Sequence, residues 1–178
     1  MHLRRAVHFV NAINNWREHL TNSVNVPVHQ QVTLKDSKQN LAVYPSEVGS
    51  GIAQVIPVVA ATLNPDFKIV SIEQPELHLH PALQTHLGDL FGHAAVEGNR
   101  LLIIETHSEH LMLRLMRRIR EFHHGELLKG KPELTRDHLS VIYVEAGGKA
   151  KSLRVTRDGD FMDEWPEGFF EERMKELF

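Results

Sequence analysis

Residues 67–81, FKIVSIEQPELHLHP, contain the clearest structural signal of the chain. Their apolar run, residues 69–72, is rich in β-branched side chains and ends in the carboxylate Glu73. Such a run bounded by a proline is typical of a buried strand, although a core strand with an ordinary polar loop is the alternative. Because open α/β sheets bind ligands at the carboxyl ends of their strands, we expect Glu73 to lie where it can hold Mg²⁺ beside nucleotide phosphates.

A second short apolar strand is expected at residues 100–104, and it also ends in a polar cluster, residues 105–108. Between the two strands, Pro81 is suited to be the first residue of a helix over residues 82–96, which stops at Glu97-Gly98-Asn99. This order predicts a right-handed β-α-β unit whose strands are parallel neighbours. Both polar clusters then lie on one edge of the sheet.

The composition indicates a globular protein with one domain and a real core. The chain has 178 residues, of which 42% are hydrophobic and 24% are charged, and its net charge is −3. No apolar run approaches the ~20 residues that span a bilayer, and residues 1–10 lack a signal-peptide core. Cysteine is absent, which excludes disulfides and thiolate metal sites and fits the cytoplasmic location that we expect.

Upstream, the periodicity predicts a helix over residues 4–20 and a hairpin of strands over 26–34 and 41–44. Gly49, Ser50 and Gly51 form a glycine-rich turn that enters a helix, where Pro57 predicts a kink or a short first segment. Such a turn exposes backbone N–H groups that stabilise anions, whereas the alternative is an ordinary helix start.

Downstream, Ser108 is suited to cap a helix whose basic face contains several arginines: Arg114, Arg117, Arg118 and Arg120. A solvated surface is the default for such a face, and a phosphate or nucleic-acid contact is the alternative. Residues 123–137 are expected to form a surface loop, followed by antiparallel strands over 139–145 and 150–156. A short amphipathic helix is expected to end at Phe178.

The order and spacing of these motifs resemble the soluble, AAA-like branch of ABC-type ATPases, which is related to recombination, repair and phage-defence ATPases. EQPELHLHP and ETHSEHL resemble its Walker B, D-loop and switch-histidine segments, and SEVGSGIAQVIPVV resembles its variant of the ABC signature motif. Residues 158–178 resemble a C-terminal tail of unknown function. The resemblance covers roughly residues 41–178. It implies an α/β fold with a P-loop NTPase-like parallel sheet and flanking helices, incomplete, and a small β-rich C-terminal extension.

The resemblance also implies roles for individual residues. Glu73 stands at the Walker B position and would act on Mg²⁺, usually through water. Gln74 stands where most relatives carry a glutamate base, and a neutral amide can orient water but cannot accept its proton. Glu76 is the alternative base, and slow turnover that prolongs a nucleotide-held dimer is the other explanation. His107 matches the switch histidine that senses the γ-phosphate of ATP.

The remaining implied sites lie at a subunit interface. Gly49, Ser50 and Gly51 would touch the γ-phosphate of ATP bound to the opposing subunit. His78 and His80 belong to the segment that matches the D-loop, which crosses the dimer interface. The expected partners are thus ATP and a second copy of the chain in a nucleotide sandwich, with no membrane. Nucleic acid or an effector protein is left open as the downstream partner.

The phosphate loop GxxxxGK[ST] is absent from the sequence. Since relatives carry it near the N-terminus, the resemblance implies the C-terminal half of an ATPase domain at residues 1–137, with the tail at residues 138–178. The missing N-terminal ATPase half then becomes a required partner. The isolated chain is expected to hydrolyse ATP negligibly.

Two other classes of function are left open. A metal-dependent hydrolase is the main alternative, because Glu76, His78, His80 and His107 would make a plausible Zn²⁺ or Fe²⁺ set if they met at one sheet edge. However, neither HExxH nor a cysteine-histidine pattern occurs, and Ser108 beside His107 is not in a GxSxG elbow. The second alternative is a non-catalytic interaction module.

Overall fold

The computed structural model describes residues 33–36, 41–145 and 147–163. Strands and helices follow one another along the chain as β1 (Leu34–Asp36), β2 (Leu41–Val43), α1 (Ser50–Leu63), β3 (Ile69–Glu73), α2 (Pro81–Val96), β4 (Leu101–Glu105), α3 (Glu109–His123), β5 (Val141–Val144) and β6 (Ala150–Leu153). Single 3-10 turns occupy Pro45–Glu47 and Arg136–His138. The helix predicted over residues 4–20, most of the strand over 26–34 and the C-terminal helix lie outside the described residues.

β3 and β4 are parallel neighbours, and their register runs from Ile69 opposite Leu101 to Glu73 opposite Glu105. Since α2 connects them, the predicted β-α-β unit is confirmed. β5 pairs with β6 antiparallel, as predicted. β1 also pairs with β2 antiparallel, but β1 overlaps the predicted strand over 26–34 only at Leu34. Each sheet in the described part of the chain has two strands.

The main core lies where α2 and α3 pack on each other and on one face of β3 and β4. Its buried members from the two helices are Leu87, Leu90, Phe91, Leu111, Leu115 and Ile119. Ile72, Leu102 and Ile104 pack against this cluster from the sheet. At Gly88 the helices approach so closely that a Cβ atom would lie 2.9 Å from Cγ of Arg114. Burial of each large apolar side chain contributes about 1.5–3 kcal/mol.

The opposite face of β3 and β4 is exposed, so the prediction of a fully buried strand is wrong for that face. Ile69, Leu101 and Ile103 are 65%, 57% and 55% exposed. The reason is that residues alternate between the two faces of a strand, and α2 and α3 both pack on the same face. Parallel strands are usually covered on both faces, so this apolar face is an unusual feature of the described residues.

α1 is one continuous helix across Pro57, so of the two predicted alternatives, a kink or a short first segment, the short first segment does not occur. Pro57 is exposed, and it has no N–H group to donate to the carbonyl of Ala53 one turn earlier. At the other end of the helix, Arg100 donates hydrogen bonds to the carbonyl oxygens of Thr62 and Leu63. A cation at this position stabilises the negative end of the helix dipole and ties α1 to the start of β4.

The predicted basic face of α3 is also corrected by the structure. Arg118 is only 2% exposed and binds the buried carboxylate of Asp89 on α2, and Arg114 bonds to the same carboxylate. Arg117 and Arg120 remain exposed. The residue type predicts a surface position for Arg118, whereas position 118 shares a helix face with the buried Leu111 and Leu115.

Candidate functional site

The carboxyl ends of β3 and β4 place Glu73 and Glu105 opposite each other as the last residues of the two strands. Both side chains are exposed. Neighbouring strands lie about 4.8 Å apart, so two carboxylates share this edge. The N–H of Gln74 donates to the carbonyl of Glu105 at 2.9 Å, which extends the parallel pairing by one residue. Carboxylate oxygens are the ligands that Mg²⁺ prefers, so this pair is the candidate cation site of the edge.

The first loop (residues 74–80) follows β3 and turns sharply twice. The N–H of Leu77 donates to the Gln74 carbonyl at 3.1 Å, and the N–H of Leu79 donates to the Glu76 carbonyl at 2.9 Å. Gln74 and His78 have φ angles of +44° and +58°, a left-handed conformation that costs a non-glycine residue roughly 1–2 kcal/mol. Such strain is retained mainly at functional sites, where the surrounding structure fixes it.

Some side chains of the first loop are buried in the protein, and others are exposed to solvent. Pro75 and Leu79 are buried, whereas His78 and His80 are exposed. His80 caps α2, because its Nδ1 atom accepts a hydrogen bond from the N–H of Ala82 at 3.2 Å. Pro81 is the first residue of α2, as the sequence predicted. The predicted interface histidines are therefore exposed on a loop that the buried Pro75 and Leu79 hold in place.

The second loop (residues 106–108) follows β4 and is bonded directly to the first loop. The Oε1 atom of Glu76 accepts a hydrogen bond from the N–H of His107 at 2.7 Å. The Oε2 atom of Glu76 is buried and has no hydrogen-bond partner among the described residues. The His107 side chain is exposed. Glu76 thus holds the backbone that carries His107, which sequence reasoning did not foresee.

The glycine-rich turn meets the same corner of the molecule. Gly49 is the N-cap residue of α1, and Gly51 lies in its first turn. A Cβ atom on Gly51 would lie only 2.1 Å from the carbonyl oxygen of His78, so only glycine permits this contact. Gly49 has no neighbouring atom within 4 Å of such a position, and Ser50 is exposed. The signature-like turn and the first loop therefore form one continuous surface.

The alternative metal cluster is not assembled. In the described part of the chain, no group of three or more histidine, cysteine, aspartate or glutamate residues is placed to hold a metal ion. Glu76 and His80 are instead engaged with backbone N–H groups. By contrast, Glu73 and Glu105 are a pair of exposed carboxylates, and their chemistry fits a Mg²⁺ ion that would keep part of its water shell. Glu105 is a site candidate that sequence reasoning missed, although it ends the second strand as Glu73 ends the first.

No helix in the described residues is both long and apolar enough to cross a membrane. No curated protein sequence matches the chain significantly. A family model described as "AAA ATPase domain" matches residues 7–112, which is more than half of the 178 residues. The matched range includes the glycine-rich turn, β3, β4 and both loops, and it ends within α3. The chain therefore belongs to the AAA ATPase domain family.

Proposed function

We propose that this chain is an ATP-binding and ATP-hydrolysing half-domain that works as a nucleotide-driven switch. The observation that carries the proposal is the pair of exposed carboxylates, Glu73 and Glu105, at the tips of two parallel strands, with the His107 loop bonded beside them. Membership of the AAA ATPase domain family supports the same chemistry. The phosphate loop comes from an N-terminal ATPase half that this sequence lacks.

In this proposal, Glu73 holds Mg²⁺ through water, and Glu105 adds to the negative field at the same edge. ATP and Mg²⁺ would be the cofactors, and Glu73 and Glu105 at the strand ends would hold the metal ion that accompanies the phosphates of ATP. Gln74 orients the attacking water through its amide, and His107 contacts the γ-phosphate. These roles supply positioning and charge stabilisation, which are the main requirements of phosphoryl transfer.

The surroundings of Glu76 support the explanation that turnover is slow rather than the explanation that Glu76 acts as the general base. One oxygen of Glu76 is engaged by the N–H of His107 at 2.7 Å, and the other is buried. Burial keeps Oε2 away from water, and the hydrogen bond that Oε1 already accepts makes it a weaker base for the attacking water. With Gln74 unable to accept a proton, hydrolysis would be slow, and the nucleotide would hold the assembled state for longer.

The same geometry supports a homodimer with ATP between the subunits. Gly49, Ser50, His78 and His80 are exposed at one corner, where they are available to an opposing subunit. Gly51 joins this corner to the first loop. The exposed apolar face of Ile69, Leu101 and Ile103 offers a surface against which the N-terminal half packs. We assign residues 1–137 to the half-domain and residues 138–178 to the tail.

The deciding experiment compares ATP turnover by the isolated chain with turnover by the chain joined to a segment that carries GxxxxGK[ST]. We expect negligible turnover by the isolated chain and Mg²⁺-dependent turnover by the joined protein. Glu73→Ala and His107→Ala should abolish that turnover, whereas Glu97→Ala, an exposed residue on another surface, should leave it unchanged. Turnover by the isolated chain that survives both site substitutions overturns the proposal, as does a joined protein that neither binds nor hydrolyses Mg·ATP.

Metal analysis of the same preparations tests the main alternative. Nucleotide-free protein should contain no stoichiometric zinc or iron. A bound transition metal in one-to-one ratio, without nucleotide, would favour a metal-dependent hydrolase. Nucleotide-independent association with the N-terminal half, without turnover, would favour an inert interaction module.

A further inference from the structure

Gln84, in the first turns of α2, bonds to both candidate loops through one side-chain amide. Its Nε2 atom donates to the carbonyl oxygen of Leu79 at 2.9 Å. Its Oε1 atom accepts a hydrogen bond from the hydroxyl of Ser108 at 2.7 Å. A primary amide has both donors and an acceptor, so it satisfies both partners without any change of protonation.

The partners of Ser108 fix the direction of this bridge. Ser108 Oγ accepts a hydrogen bond from the N–H of Leu111 at 3.0 Å and so caps α3. Its single hydroxyl proton is therefore available to Gln84, whose oxygen must face it while the nitrogen faces the Leu79 carbonyl. Ser108 is only 5% exposed, so competition from water is small. The bridge connects the first loop to the start of α3.

Glu76 forms a second connection between the same two loops, through its bond to the N–H of His107. Glu76 and Leu79 lie at different points of the first loop, and His107 and Ser108 are adjacent in the second. Two connections at separate points restrict both sliding and rotation of one loop against the other. A single bond would leave rotation free.

We propose that Gln84 is a positioning residue that, together with Glu76, makes the first and second loops move as one unit. This inference deepens the proposed function, in which the first loop faces the opposing subunit and the second loop carries His107 to the γ-phosphate. The state of the interface then reaches the His107 loop through Glu76 and Gln84 together. No contact between Gln84 and nucleotide is required.

Hydrogen exchange of the nucleotide-free chain tests the coupling, so the result does not depend on ATP binding. Gln84→Met keeps the side-chain length but removes both bonds, each worth about 0.5–1.5 kcal/mol, and should raise exchange several-fold in residues 76–80 and also in residues 106–111. Thr85→Val is the matched control, because its hydroxyl bonds only to the carbonyl of Ala82 within α2. Faster exchange confined to residues 76–84, with residues 106–111 unchanged, overturns the inference.

A double variant separates coupled bridges from independent ones. Glu76→Leu removes the second connection, whereas Glu76→Gln keeps an acceptor for the His107 N–H and should exchange nearly as the parent does. If the loops form one unit, Glu76→Leu combined with Gln84→Met should exchange little faster in residues 106–111 than the faster single variant. If the fold-increase in exchange of the double variant equals the product of the two single fold-increases, the two contacts are independent and the proposal is refuted.

Gln84→Glu provides a readout that loss of folding does not imitate. At neutral pH the carboxylate still accepts from Ser108 but cannot donate to the Leu79 carbonyl, so the bridge is broken at the first loop and exchange in residues 76–80 should be faster than in the parent. Protonation near pH 4 restores a donor, and the exchange rate relative to the parent at the same pH should fall toward one. If the exchange rate of Gln84→Glu divided by that of the parent stays constant or rises on acidification, the assigned role of Gln84 is contradicted.

If Mg·ATP fails to bind the joined protein while these exchange patterns hold, the proposed function fails and the coupling stands. If the joined protein hydrolyses ATP while the exchange patterns are absent, the proposed function stands and the coupling fails. The two ideas therefore fail separately.

Discussion

The guanidinium of Arg118 on α3 donates two hydrogen bonds to the carboxylate of Asp89 on α2, at 2.7 and 3.1 Å. Asp89 is fully buried, and Arg118 is 2% exposed. Burial alone would raise the pKa of Asp89, but hydrogen bonds from Arg118 and Lys131 outweigh it and hold this pKa below its ordinary value. Burial alone would lower the pKa of Arg118, but hydrogen bonds to Asp89 and Glu121 outweigh it and hold this pKa above its ordinary value. An ion pair thus joins the two helices inside the core.

Asp89→Asn should destabilise the protein by about 1.5–3 kcal/mol, because it removes the carboxylate that Arg118 shares with Lys131 and leaves Glu121 as the remaining carboxylate partner of Arg118. Lys131, whose Nζ atom lies 2.8 Å from Asp89, loses its partner in the same change. Denaturant unfolding measures the loss. Asp137→Asn is the control, since that side chain is 83% exposed and pairs with Arg136 only at 3.6 Å; we expect a change below about 0.5 kcal/mol. Equal effects of the two substitutions would contradict the assignment.

The contribution of Asp89 should depend on pH in one direction. Its folded-state pKa is lowered, so its stabilisation is fully present above the unfolded value of 3.8 and is lost as the pH falls through the folded value. The difference in unfolding free energy between the parent and Asp89→Asn should therefore be constant from pH 7 down to about pH 5 and should shrink below about pH 4. A difference that shrinks between pH 8 and pH 6 would mean that another group is responsible.

Gly51→Ala should disturb the contact between α1 and the first loop. The new Cβ atom would lie 2.1 Å from the carbonyl oxygen of His78, so the backbone must move. Overpacking of this kind typically costs about 1–3 kcal/mol, and thermal unfolding measures it. Gly49→Ala is the matched control two residues earlier, because no atom lies within 4 Å of its Cβ position and its φ is −56°. Equal destabilisation by both would show that the close approach does not matter.

Asp163 should titrate far below an ordinary aspartate. Hydrogen bonds from the side chain and the backbone N–H of Arg154 lower the pKa of Asp163 from 3.8 to about 2. Carboxyl carbon NMR measures the value directly. Arg154→Gln removes the guanidinium but keeps the backbone N–H bond of 2.7 Å, so the pKa should rise but stay below 3.8. Any stabilisation from this pair is lost only as the pH falls toward 2, because the folded-state pKa is lowered. An unchanged pKa in Arg154→Gln would rule out the guanidinium as its cause.

Much of the local structure could be predicted from short-range signals. Pro81 begins α2 and Ser108 caps α3, because a proline at the first helical position and a serine before the first turn satisfy backbone geometry and N–H groups locally. The apolar runs before Glu73 and Glu105 also predicted the two parallel strands, because a short apolar run is a signal within a few neighbouring residues. The boundaries of β4 and β5 differ from the prediction by one or two residues at each end, where periodicity carries little information.

Other features required the tertiary structure. Glu76 and His107 are 31 residues apart, and Gln84 and Ser108 are 24 apart, yet each pair is bonded across two loops. Nothing in the residue pattern distinguishes Gln84 from other polar residues of α2, and the pairing of Arg118 with Asp89 equally crosses two helices.

The sequence by itself determined which segments become helices and strands and that two of its strands end in carboxylates, because these properties depend on side chains a few residues apart. Only the tertiary structure decided which sheet face is covered, which arginine is buried and which polar groups join the two loops. These outcomes depend on how helices pack over a shared core. A buried polar group must then find its partner wherever the packed chain places one.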